Sequence, residues 1–407
     1  MMENIHDLLR AHEGLTREVF LDSENSCAVP KEVVDEMLPY FNQRAYGNPT
    51  LTHKPGWEAF EAIMKSSQKI AGFLGCRTLE EVNFAPGETE ANNLALAGTA
   101  YAMRSHGKKI IICDTEPINI LHVVDMLQKR GFTVVKVPVD SEGLVNLGKL
   151  EEAIDSETII VSISAVNHEI GTIEPIREAL EIVKDRNTET IFHTDASDAY
   201  GRIPFNVKDL DVDLATISSC KILGPRGTGA LYVKKSVPVE RLLEGQIGTQ
   251  NLWPGIENVP SIVGFAKASE LIFHNFEGKV HHLRKLRDKL IDGITRKLPG
   301  VILNGPRDDK RAPDNVNISF RRCEGEALTI ELSLNGVYVS SGSACTRRLL
   351  QPSHVLVAIG RSYVEAHGSI LMKVTWNHKE SDIDYVLDVI PKAVKRIREI
   401  AGSVEVK

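Results

Sequence analysis

Six cysteines in 407 residues, with no CxxC pair and no regular spacing, are too few and too scattered for a disulfide framework or a zinc knuckle. Reduced thiols, and with them a cytoplasmic location, are what that usage predicts. Long hydrophobic runs are missing as well. None comes near the roughly 18 apolar residues that a membrane span needs, so no membrane partner is expected. The first fifteen residues, MMENIHDLLRAHEGL, mix charge with apolar side chains and hold no h-region of a secretion signal. Excess positive charge is also lacking. Lys and Arg number 48 against 55 Asp and Glu, a formal net charge of −7, which argues against nucleic acid as the main ligand. Low-complexity tracts, charge blocks and internal repeats are absent too.

What is present is the composition of an ordinary globular chain, 42% hydrophobic and 25% charged, long enough for two domains. Short β-branched runs at 109–115 (KIIICDT), 133–139, 158–164, 190–196, 214–219 and 229–235 read as buried strands. Helical patterns at 88–105, 118–131, 147–154 and 175–186 fall between them. Strand alternating with helix predicts an α/β domain with a mostly parallel central sheet and ligands at the carboxyl ends of its strands. After residue 258 the texture changes. A helical stretch from about 260 to 298, strand-like NVNISF (315–320), helical 325–336, strand-like VYVSS and a final helix near 382–401 predict an α+β unit. The expected division is a large domain over 20–265 and a small one over 266–407, with residues 1–19 free to pack on either.

Lys221 stands out in TISSCKILGPRGTGALYV (216–233). It follows an apolar strand and precedes a turn built on Gly224, Pro225, Gly227 and Gly229. Most lysines are solvated surface charges. One at a strand end in an α/β fold can instead form a Schiff base with a carbonyl cofactor. If that cofactor is pyridoxal phosphate (PLP), its ring nitrogen needs a carboxylate, and Asp195 ends the strand TIFHTDA. Asp195 taken alone reads equally well as a turn residue.

The surroundings narrow this. FAPGETEANNLAL (84–96), AVNHEIGTIEPI (165–176), HTDASDAYGRIPFNV (193–207), SSCKILGPRGTGALYV (218–233), WPGIENVPSIVGFAKA (253–268) and VSSGSACTRRLLQPSHVLVAIG (339–360) occur in that order. Together they resemble the successive motifs of the NifS/IscS-type cysteine desulfurases, in the class V aminotransferase group of PLP enzymes with fold type I. The resemblance implies that Lys221 holds PLP and that Asp195 faces its ring nitrogen. It implies that Thr89, Gly87 and Ser218 hold the phosphate, and that Asn167 and Asp198 lie near the phenolic oxygen. A helix N-terminus suits the phosphate role. Cys345 matches the nucleophile that takes sulfur from cysteine as a persulfide, a task suited to a soft thiolate. A homodimer, cysteine as substrate, and an IscU-like scaffold or another sulfur acceptor follow from the same resemblance. The acceptor would serve iron–sulfur cluster, thio-cofactor or tRNA sulfur biosynthesis.

Departures from the family concentrate on the cofactor pocket. Pro117 stands where a ring-stacking histidine is usual, Asp198 replaces a glutamine, and Cys220 replaces a histidine beside the lysine. Trp253 and Ile256 replace an arginine and a threonine, and Leu371 replaces the arginine that clamps the substrate carboxylate. Lys373, two residues along, would face the same side of a strand, although the sequence gives no ground for relying on it as a substitute. Cys27, Cys113, Cys220 and Cys345 could approach one cavity, where they would suit an iron–sulfur cluster, a soft metal or a sulfur relay. Small cysteines filling an α/β core are the plainer alternative, and Cys76 and Cys323 read as structural. His122, His168 and His193 lack metal-ligand spacing and read as packed side chains. Three readings stay open: a PLP-dependent desulfurase-like sulfurtransferase, a desulfurase-like scaffold that uses its thiols with little or no PLP, and PLP chemistry on another sulfur or selenium substrate.

Overall fold

The structure, a computed structural model, describes residues 9–10, 12–24, 26–341 and 352–404. Its strands, in chain order, are β1 (Val19–Phe20), β2 (Val82–Ala85), β3 (Lys109–Cys113), β4 (Thr133–Val137), β5 (Thr158–Ser162), β6 (Ile191–Asp195), β7 (Leu214–Ser218) and β8 (Gly229–Val233). They continue with β9 (Val301–Leu303), β10 (Asn315–Phe320), β11 (Val337–Tyr338), β12 (Ser340–Ser341) and β13 (Ser369–Lys373). The six expected buried runs are all strands of one seven-stranded sheet, ordered β2-β8-β7-β6-β5-β3-β4. The pairs from β4 through β7 are parallel. The link from β7 to β8 is too short for a crossover, so β8 returns antiparallel, and β2 pairs antiparallel beyond it. Strand β2 is the one member that the pattern hides, because its four residues run straight into the GETE turn.

Both faces of this sheet are covered, which is why its strands read as continuous apolar runs. Ile110 and Ile112 pack on one face with the helix Ile118–Lys129, while Ile111 packs on the other. Such alternation follows from the period of two in a strand. Strand order reverses around β3, so β3, β5, β6 and β7 bring Cys113, Ser162, Asp195 and Ser218 to one carboxyl edge.

A second, four-stranded antiparallel sheet is ordered β12-β13-β10-β9. It shares a separate core with the helices Phe276–Lys297 and Glu380–Val404. The stretch expected as one helix from 260 to 298 is two, Val259–Phe273 and Phe276–Lys297. Between them Asn275 adopts a left-handed conformation (φ 57°), which asparagine tolerates better than most residues. VYVSS also divides: β11 pairs in parallel with β1, and β12 pairs with β13. The N-terminal segment therefore lies with the second sheet, an arrangement that Arg17 reinforces by donating to Asp382 at 2.8 Å. Among the described residues, no helix is long and apolar enough to cross a membrane.

Candidate functional site

The turn after β7 is a single 3₁₀ turn, Cys220–Ile222, closed by Leu223 in a left-handed conformation (φ 64°). A Cβ on Gly224 would lie 2.2 Å from Ser219 Oγ and 2.9 Å from the Ser219 carbonyl oxygen, so the glycine is needed there. This tight turn directs Lys221 inward rather than to solvent, and only 2% of its side chain is exposed. Arg202 fixes the turn from behind: its Nη2 donates to the Lys221 carbonyl at 2.6 Å and its Nε to Asp314.

The amine of Lys221 is enclosed by carboxylates. It donates to Glu24 Oε1 at 2.6 Å and to Asp198 Oδ2 at 2.8 Å, with Glu88 Oε2 at 3.9 Å. Each of the two nearer carboxylates turns its other oxygen to a second lysine. Lys373 Nζ donates to Asp198 Oδ1 at 2.5 Å and pairs with Glu24 Oε2. Two lysines and two carboxylates thus form a closed ring of alternating charge, with side-chain exposures of 10% or less. Burial alone would lower the pKa of Lys221, but Asp198, Glu24 and Glu88 raise it well above the ordinary lysine range. Burial pushes the Asp198 and Glu24 carboxyls up, yet the two lysines outweigh it and hold both below the usual carboxylate range. Glu88 has no such compensation, and burial raises it to about 8 despite the nearby Lys221. Each lysine of the ring thus faces two carboxylates, and each carboxylate two lysines.

Asp195 lies at the end of β6, as expected. Its Oδ2 accepts from Asn92 Nδ2 at 2.7 Å and its Oδ1 from the Ser197 amide at 2.9 Å. Burial raises its pKa against those two contacts. Asn167 is buried on the turn after β5, but its side chain serves the backbone. Its Nδ2 donates to the Thr115 carbonyl, and its Oδ1 accepts from the amides of Glu169 and Ile170. Ser218 Oγ lies 3.3 Å from Cys220 Sγ. Gly87 and Thr89 open the short helix Glu88–Asn93 as expected, with Thr89 exposed. Pro117 caps the helix Ile118–Lys129. Trp253 and Ile256 line a separate cavity of about 220 Å³ with Gly227 and Thr228.

One candidate thiol reaches the backbone beside another: Cys27 Sγ donates to the Cys220 carbonyl at 3.4 Å. Burial raises the Cys27 thiol to about 11 and also raises that of Cys220. Cys113 is buried with its sulfur against Thr115 Oγ1, in surroundings made by Glu116 and Glu174. Cys345 lies outside the described residues. Among those residues, no group of three or more Cys, His, Asp or Glu side chains is placed to hold a metal ion. His193 is packed as expected, between Ser162 Oγ and Thr216 Oγ1, and burial lowers it to about 3. His168 is half-buried near Glu24 and Lys221, and the loss of solvent around its ring lowers it to about 4.

Glu24 and Glu88 are absent from the sequence expectations, and Lys373 enters them only weakly. A signal existed for Lys373: a lysine in the apolar run ILMKVTW must bury its charge beside a counter-charge. Nothing local marks Glu24, whose partners are far away in sequence.

The family model described as Aminotransferase class-V matches residues 19–386. The chain belongs to that family. It is 40% identical over 388 residues to a protein named "Cysteine desulfurase IscS" from Clostridium botulinum, covering 95% of this chain and 97% of that one. A protein of the same name from Methanosarcina thermophila is 40% identical over 385 residues, covering 95% and 94%. Among solved structures, one titled "NIFS-LIKE PROTEIN" superposes with a TM-score of 0.86 at 34% identity, covering 95% of this chain and all of that one. The family implies PLP dependence, and the fold is that of its PLP-type members.

The side chains in place test that implication. Lys221 and Asp195 keep their positions on neighbouring strand ends. A carbonyl carbon bonded to Lys221 Nζ would leave it at most one N–H, where two short ion-paired contacts now need donors. Glu24 and Asp198 would then face only Lys373. At the helix start expected to attract phosphate, the Glu88 side chain already turns inward, accepting from Asn119 Nδ2 at 2.9 Å. The frame for PLP is kept, but the charged side chains within it do not fit a cofactor bonded to Lys221.

Proposed function

We propose that this chain is a sulfurtransferase of the cysteine desulfurase family that carries cysteine-derived sulfur as a persulfide on Cys345 and passes it to an acceptor. The acceptor, an IscU-like scaffold or another sulfur-accepting protein, serves iron–sulfur cluster, thio-cofactor or tRNA sulfur synthesis. One observation carries the reading. The segment that contains Cys345 leaves β12, which pairs with β13 beside Lys373, and re-enters at Ser353, whose Oγ donates to Glu169 at 2.6 Å. The described residues on either side of that segment are thus tied to the strand that carries Lys373 and to Glu169, which lies within electrostatic reach of Glu24. A homodimer, and division into domains over 20–265 and 266–407, belong to the same reading, as does a cytoplasmic location.

Since the charged ring leaves no step for PLP, sulfur reaches Cys345 as sulfane sulfur from a persulfide donor. The Cys345 thiolate attacks the outer sulfur of R–S–SH, the donor's S–S bond breaks as the new one to Cys345 forms, and RS⁻ leaves and takes up a proton. The electron count closes without an added oxidant, because a thiol and a persulfide exchange places. The acceptor thiolate removes the sulfur in the same manner.

A second reading is favoured by the kept positions of Lys221 and Asp195. In it, PLP held at Lys221, Asp195, Thr89, Gly87, Ser218, Asn167 and Asp198 would supply the electron sink that releases sulfur from cysteine. The two are separated by treating the full-length protein with glutathione persulfide and mapping the Cys345 peptide by mass. A persulfide on Cys345, lost in Cys345→Ser and transferable to an acceptor thiol, supports the relay. An unmodified Cys345 overturns it.

A further inference from the structure

The ring of Glu24, Lys221, Asp198 and Lys373 joins three parts of the chain at one point. Glu24 follows β1 in the N-terminal segment. Asp198 and Lys221 follow β6 and β7 at the carboxyl edge of the central sheet, and Lys373 ends β13 in the second sheet. We propose that this ring is a latch standing where the family places its cofactor: it fastens the N-terminal segment and β13 onto the central sheet, and it keeps Lys221 from bonding any carbonyl cofactor. The proposal deepens the relay reading by assigning Lys221 a positioning role within it.

Several independent contacts follow the same three-way seam. The Lys373 amide donates to the Leu21 carbonyl at 2.7 Å, and Ser23 Oγ donates to the Lys373 carbonyl at 3.2 Å, so the backbone of the N-terminal segment is tied to β13. Cys27 Sγ reaches the Cys220 carbonyl, tying the same segment to the Lys221 turn. Arg202 joins that turn to Asp314, whose carbonyl in turn accepts from the Val374 amide next to Lys373. Every charge of the ring has partners of opposite sign on two sides. Removing any one therefore strands a buried charge, whereas removing an opposite pair does not.

The chemistry follows from the same geometry. A primary amine attacks a carbonyl only as the free base, with its lone pair exposed. Here the lone pair is taken up by a proton, and the N–H donors are aimed at two carboxylates. Nearby groups do not reverse this: Glu88 adds a third carboxyl at 3.9 Å, and His168 is half-buried alongside.

The test uses the full-length protein incubated with PLP, reduced with borohydride and digested for peptide mass analysis. The expected result is no pyridoxyl adduct on Lys221 in the unaltered chain. In Glu24→Ala/Asp198→Gln, which leaves Lys221 without either close partner, an adduct on Lys221 is expected. A stoichiometric Lys221 adduct in the unaltered protein would overturn the proposal. Should the double variant fail to fold, reductive methylation of the unaltered protein with formaldehyde reads the same amine directly. Lys31 and Lys54, more than 80% exposed, should be methylated while Lys221 and Lys373 stay unmodified. Methylation of Lys221 as fast as of those surface lysines would also overturn it. Persulfide loading of Cys345 is read in a separate assay, so failure of the latch and failure of the relay are distinguishable.

Discussion

Replacing Lys221 by methionine removes one charge of the ring while keeping most of the side-chain volume. Glu24 and Asp198, both buried, are then left with Lys373 as their shared partner, each having lost a contact of 2.6 or 2.8 Å. Breaking a buried ion pair by deleting one partner costs about 3–5 kcal/mol, because the remaining charge keeps its desolvation penalty. Lys221→Met should therefore lower the unfolding free energy by about that amount, read by urea denaturation followed by circular dichroism. The informative control is the double variant Lys221→Met/Glu24→Gln, which restores neutrality. Residues sharing one network show coupling of about 0.5–3 kcal/mol, so the double variant should be less destabilised than the sum of the single ones by an amount in that range. The reasoning would be refuted if Lys221→Met cost no more than the roughly 0.5 kcal/mol of an ordinary surface substitution, or if the two changes were additive.

Further outcomes follow from the same geometry. Glu116, Glu169 and Glu174 are buried and raised by that burial to about 8. In the unfolded chain they ionise near ~4.3, so folding holds extra protons between those values and stability should fall as pH rises from about 5 to about 8. Glu116→Gln, which can keep the contacts to the Ser164 amide and hydroxyl, should flatten part of that slope in pH-dependent denaturation. Glu24 and Asp198 act in the opposite sense. Their depressed values contribute stability above roughly pH 4, and it is lost only as pH falls through the folded values; Glu24→Gln/Lys373→Met should weaken that acid limb. Cys27 and Cys220, with thiols raised by burial, should react with iodoacetamide at pH 7 far more slowly than a free cysteine does, measured by peptide mapping. Gly224→Ala should destabilise by about 1–3 kcal/mol through overpacking against Ser219, read as a lower melting temperature.

The central sheet was legible because both of its faces are buried and its strands are unbroken apolar runs with short connections. Strand β2 escaped because four residues merging into a turn carry no period of their own. The helix break at Asn275 was hidden since a single left-handed residue leaves the apolar periodicity on either side intact. Lys221 and Asp195 could be placed at neighbouring strand ends from motif order alone. The identity of the partners of Lys221 could not be read that way. An ion pair is a statement about distance in space, and Glu24, Asp198 and Lys373 come together only when the N-terminal segment and β13 close on the carboxyl edge. The departures at Pro117, Asp198 and Leu371 marked the pocket as altered. What they did not disclose is that the charges in it are matched, lysine against carboxylate. Nor could spacing decide which thiols share a cavity: Cys27 reaches the Cys220 turn, whereas Cys113 packs beside Thr115.

The most direct test of the account loads the same full-length protein in two ways, with cysteine and PLP in one reaction and with glutathione persulfide alone in the other. Intact mass and the Cys345 peptide are measured in each. The account predicts one added sulfur on Cys345 from the persulfide donor and none from cysteine with PLP. Sulfur on Cys345 from cysteine and PLP, with a pyridoxyl adduct trapped on Lys221, would contradict it.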